Sequence, residues 1–213
     1  MVRIICALTA ILFAATPMAS AFPQETHDTL ETKFGNPKLR EDLLAMEVAD
    51  QDIRQEFIKV LSVHPTDSLA LVKVDRKMYS LDSANTAILK RIIDQYGWPG
   101  RDLVGREGTE AAFLILQHSP DTLFQRECVP FIKKAYYAGE VTASDFSVFI
   151  DRVLVREGKP QLYGTQANIV DGRIILDAIA DSANVDTRRA KLGLPSLAEY
   201  IKLLRQVYHL KSK

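Results

Sequence analysis

His118 is the residue of this chain best suited to move a proton near neutral pH. An acid such as Asp151 could orient and charge it, giving the catalytic pair of a hydrolase or transferase. Glu110 with Asp151 would be the paired-carboxylate version of the same chemistry. Nucleophile candidates are Ser119, Ser147 and Thr165, but none sits in a Gly-x-Ser-x-Gly elbow, and the chain has no glycine-rich phosphate loop. Amides predominate among the remaining candidates: Gln117, Gln125, Gln161 and Gln166, with Tyr163 and Arg188 beside them. Amides hydrogen-bond without acting as nucleophiles or strong bases, so this inventory suits recognition of a polar ligand. A sugar, a peptide or a fragment of the cell envelope would fit, with Arg188 and Arg189 available to clamp an anion. A third reading makes the same polar groups a closed network that only fixes helix packing.

These residues stand out because they interrupt apolar faces. On a wheel of about 100° per residue, Phe113 and Leu116 of the 107–118 segment oppose Leu114 and Ile115, so this helix is apolar all round and buried. Glu110 and Gln117 share the narrow stripe between those faces and must meet a cleft or each other. Asp151 lies in a stripe with Ser144 and Ser147, squeezed between apolar positions, where an acid needs a partner. Asp145, Arg152 and Arg156 form another stripe, read as solvated surface. Cys128 sits mid-stripe among Phe124, Phe131, Ile132 and Ala135, as a small hydrophobe rather than a nucleophile.

The elements that must position these groups are mostly helices. Asn36-Pro37 starts the first, carrying Leu39, Leu43, Met46 and Ile53 at helical spacing, and His64-Pro65 stops it. Residues 66–80 are ambiguous. Asp82 caps a further helix that ends at Gly97, before the turn Gly97-Trp98-Pro99-Gly100. Three helices follow: 107–118, a second capped by Ser119-Pro120 and kinked at Pro130, and a third opened by Thr142-x-x-Asp145 and closed by Gly158. Periodicity then switches to alternation. Tyr163–Val170 and Arg173–Ile179 flank Asp171-Gly172, a hairpin signal that pairs Val170 with Arg173 and Gln166 with Asp177. Helices from Asn184 to Leu192 and after Ser196-x-x-Glu199 close the chain. The fold class is mainly α, a single-domain helical bundle over residues 37–213 with one small β-hairpin near 163–179. The ligand cleft is expected between the central helices and this hairpin.

Composition narrows the setting. The 27 basic and 27 acidic side chains balance, leaving no electrostatic footprint for nucleic acid or an acidic membrane surface. Met1-Val2-Arg3, the apolar run Ile4–Ala15 and Ala19-Ser20-Ala21 form a secretory signal peptide over residues 1–21. Its apolar run is short of the roughly 20 residues a membrane span needs. The exported chain, periplasmic or secreted, would begin with a loose lead-in over 22–36 and carry Cys128 without a disulfide partner. His27, His64, His118 and His209 show no zinc-ligand spacing, and no metal or other cofactor is expected.

Gln117-His118, Phe124-Gln125, Asp151-Arg152, Gly158-Lys159-Pro160-Gln161, Tyr163-Gly164-Thr165-Gln166, Arg188-Arg189 and Gly193-Leu194 occur in this order. The pattern resembles a bacterial family catalogued only as a domain of unknown function, over about residues 98–201. The resemblance implies one structural unit and brings no activity with it.

Overall fold

A computed structural model describes residues 35–63, 67–170 and 173–207. The signal segment, nearly all of the lead-in, the His64-Pro65 stop and the Asp171-Gly172 turn lie outside those residues. Mainly helical structure with one small hairpin is what the described residues form.

Helix α1 (Pro37–Val63) begins where the Asn36 side chain accepts the Leu39 amide at 3.0 Å, with proline at the first helical position. Helix α2 (Ser68–Tyr96) is capped by Asp67, which accepts the Ala70 amide at 2.9 Å. The expected start at Asp82 is therefore corrected. Asp82 lies inside α2 and directs its carboxylate at Arg54 of α1. Helix α3 (Arg101–His118) breaks at Gly105, whose φ of 71° only glycine adopts freely. Asp121, rather than Ser119-Pro120, caps α4 (Thr122–Tyr137) by accepting the Phe124 amide at 2.9 Å. This helix continues across Pro130, which is exposed. Thr142 caps α5 (Ala143–Arg156), accepting the Asp145 amide at 3.1 Å and donating to its carboxylate at 2.7 Å.

The antiparallel hairpin joins β1 (Ala167–Val170) and β2 (Arg173–Leu176), with Val170 opposite Arg173 as the alternation predicts. Its strands are shorter than expected, because the backbone of Leu162, Tyr163 and Thr165 is held by side chains instead of a ladder. The Asp177 amide still donates to the Gln166 carbonyl at 3.1 Å, in the predicted register. A 3₁₀ turn (Ser182–Asn184) leads into α6 (Val185–Lys191), and Ser196 and Glu199 form the capping box of α7 (Leu197–Val207).

One apolar cluster runs through α1 to α5. Leu43, Leu89, Leu116, Ile132 and Phe149, one from each helix, are among its fully enclosed members. Helix α3 lies at the centre, packed on α1 and α2, with the Phe113 and Phe149 rings 5.9 Å apart across its contact with α5. Among the described residues no helix is long and apolar enough to cross a membrane.

Candidate functional site

The residues singled out by sequence fall into three groups, one of which meets a cleft. The first surrounds His118. Asp50 and Arg54, four apart on α1, extend the stripe of Leu39, Leu43 and Met46 toward the end of α3. A carboxylate can only accept, so His118 Nδ1–H donates to both Asp50 oxygens, at 2.9 and 3.0 Å. Arg54 pairs with Asp50 at 2.8 Å and spans to Asp82 at 3.0 and 3.1 Å. This chain of charges ties α1, α2 and α3 together and is almost wholly dry, the Asp50 side chain being 0% and that of His118 6% exposed. Burial pushes the imidazole down from 6.5 to about 4, with Arg54 and Arg152 adding to it against Asp50. Burial likewise pushes Asp82 up to about 6, against the pull of Arg54.

The expected pairing of His118 with Asp151 does not occur. Asp151 heads the second group. Its fully buried carboxylate accepts the amides of Leu162 (2.7 Å), Tyr163 (3.0 Å) and Thr165 (3.0 Å), and the Thr165 hydroxyl at 2.9 Å. Burial raises its pKa while these four donors oppose the rise. Gln161, also fully buried, donates to the carbonyls of Gln166 and Asp177 at 2.9 Å and accepts the Gln166 amide at 2.8 Å. The Gln166 side chain donates to the Val148 carbonyl at 3.3 Å. Arg188 donates to the carbonyls of Leu162 (2.8 Å) and Asp181 (3.1 Å), and Arg189 to those of Tyr163 (2.6 Å) and Pro195 (2.7 Å). Gly164 makes this turn possible: its φ is +73°, and an added Cβ would lie 2.8 Å from a Leu197 methyl. The Thr165 and Gln166 side chains are thus engaged within the protein, on the Asp151 carboxylate and on a carbonyl of α5. The two arginines read carbonyls, so neither is arranged as an anion clamp.

The third group lies where α3 meets α4 and α5. Gln125 donates to the carbonyls of Leu116 (2.9 Å) and Gln117 (3.1 Å) and accepts from Arg156 at 2.6 Å. Arg152 donates to the Gln117 carbonyl at 2.8 Å and to its side-chain oxygen at 3.1 Å. The expectation of a solvated Arg152–Arg156 stripe is corrected here: both guanidiniums turn inward to cap the carbonyl end of α3, where positive charge is favoured. Cys128 is 1% exposed, and burial pushes its thiol up to about 12, which leaves it a core hydrophobe.

Gln117 also reaches a cleft of about 440 Å³, which sequence reading did not locate. Helix α3 contributes Arg106, Glu110, Phe113, Leu114 and Gln117 to it, and α1 contributes Glu47 and Gln51. The turn before α5 adds Glu140, Val141 and Thr142, and α5 adds Asp145. Glu110 and Gln117, expected to meet a cleft or each other, both line it. No hairpin residue does. Four carboxylates therefore face one guanidinium, Arg106, which pairs with Glu110 at 2.8 Å. Burial raises the Glu47 carboxyl and the neighbouring Glu110, Asp50 and Glu107 raise it further; burial and Glu110 also raise Asp145, against its bond from Thr142. The signal for Glu47 and Gln51 was available, since both flank the interrupted stripe at Asp50, and Gln51 donates to Asp50 at 2.9 Å.

Against known families, residues 37–213 match the model of DUF6624, described as a family of unknown function. The match includes α1 and α2, which the resemblance over 98–201 had left out. No curated protein and no solved structure matches the chain.

Proposed function

We propose that this chain, which belongs to that family of unknown function and takes no activity from it, is an exported protein that binds a small polar molecule in the cleft between α1, α3 and α5. One observation carries the reading. Gln117 is only 7% exposed, its side-chain oxygen is fixed by Arg152, and its Nε2 on the cleft wall meets no protein acceptor among the described residues. That donor faces the cleft, so a ligand acceptor seated there takes the place of the water it would otherwise meet. The volume also suits a small molecule, since such sites run from roughly 300 to 1,000 Å³. Phe113, Leu114 and Val141 supply an apolar floor beneath the polar rim.

Binding is favoured over proton chemistry because the cleft holds no histidine, while the His118 ring is committed to Asp50. The test is a ligand screen by protein NMR with sugars and short peptides, run on the protein and on Leu114→Trp, which fills the cleft. Saturable shifts at Leu114, Gln117 and Val141, lost in the filled variant, are expected. Shifts that persist in the filled variant, or none at all, would overturn the reading.

Export is part of the same proposal and rests on the signal-like residues 1–21. N-terminal sequencing of protein from the producing cell's exterior or periplasm should begin at Phe22. Recovery of a chain beginning at Met1 in the cytoplasm would count against it.

A further inference from the structure

We infer that the ligand of this cleft is an organic amine that also carries a hydrogen-bond acceptor, such as an amino sugar or a lysine-type amide, an inference that rests on the cleft being a binding site. Glu47, Glu110, Glu140 and Asp145 create a negative field that Arg106 offsets only in part. Glu140 already accepts the Arg101 amide at 2.9 Å, Asp145 the Thr142 hydroxyl at 2.7 Å and Glu110 the Arg106 guanidinium at 2.8 Å, which leaves Glu47 as the carboxylate best placed for a newcomer.

A metal ion would need three or more of these groups on one point. No group of three or more His, Cys, Asp or Glu side chains among the described residues could hold a metal ion. Spread carboxylates suit an ammonium group on a molecular frame, which reaches them through separate N–H donors. Gln117 then fixes the other end. Its oxygen is held by Arg152, so the amide cannot turn round, and what it offers the cleft is a donor. The donor requires a hydroxyl or carbonyl oxygen on the ligand. An anionic ligand would meet four like charges, and a purely apolar amine would leave Gln117 unpaired.

The experiment compares matched probes by NMR titration of the purified protein: glucosamine against glucose and glucuronate, and Nα-acetyl-lysinamide against Nα-acetyl-norleucinamide, which lacks any amine. Glucosamine and the acetylated lysinamide should bind at least about tenfold more tightly than their matched counterparts, the equivalent of about 1.4 kcal/mol. Glu47→Gln should remove most of that preference without shifting the melting temperature, and added salt should weaken the amines alone. If glucose or glucuronate binds as well as glucosamine, and the acetylated norleucinamide as well as the acetylated lysinamide, the amine class is wrong while the cleft remains a binding site. If no probe of any charge binds there, both fall together.

Discussion

Asp151→Ala should lower the stability of this protein by about 3–5 kcal/mol, the range seen when a buried charged partner is removed from groups that depend on it. The side chain is 0% exposed and accepts three backbone amides and one hydroxyl. Its removal strands the amides of Leu162, Tyr163 and Thr165 in a space that water reaches poorly. Asp151→Asn should cost nearly as much, because the new amide N–H₂ replaces an acceptor oxygen and faces donors. Denaturant titration of both variants settles the point. A wild-type midpoint in the alanine variant would show that water replaces the carboxylate at no loss, and the clamp would then be ornamental.

Asp50→Ala is expected to cost on the order of 3 kcal/mol, at the lower end of the same range, because Arg54 keeps Asp82 while His118 loses its acceptor. The network also makes a claim about pH. The His118 pKa is depressed in the folded state, so its contribution is complete above 6.5 and is lost as pH falls through about 4. Asp82 has the opposite sign. Its pKa is raised to about 6, so its contribution is complete below 3.8 and is lost as pH rises through about 6. Across pH 4–6 the two slopes oppose each other, and the wild-type curve should be nearly flat there from these groups. His118→Gln removes one of them. The variant should become more stable relative to wild type as pH falls, by up to roughly 1.4 kcal/mol per pH unit, the equivalent of one proton. Parallel stability curves for the two proteins would show that the imidazole titrates alike in the folded and unfolded chains.

Much of the fold was legible because its signals are local. The Asn36 and Thr142 caps, the Ser196–Glu199 box and the Val170–Arg173 pairing each depend on residues a few positions apart. The first half of α2 was not legible, because only Val74 and Met78 face the core there while Leu69, Val72 and Tyr79 are exposed, which blurs the apolar stripe. The candidate site was legible to a lesser degree. Polar groups set on apolar faces mark Gln117 and Asp151 as buried, whereas Gln125, which only flanks its stripe, is buried as well. What each one bonds to lay beyond that method, since the partner of His118 is 68 positions upstream and the partners of Asp151 are loop amides without side-chain identity. The same search along α1 would have found Asp50. The cleft itself depends on how the turn before α5 meets α1 and α3, which no periodicity encodes.

The Asp151 clamp has a consequence for how this segment can change over generations. A carboxylate that grips main-chain amides recognises a backbone path and asks little of the side chains along it. Leu162 and Tyr163 answer only to apolar packing against the core, a demand that many residues of similar bulk satisfy. The shape of the loop is therefore stored in Asp151, Gln161, Gly164 and the two arginines, and its outward surface is free to drift. Mutation can repaint this end of the protein without rebuilding it.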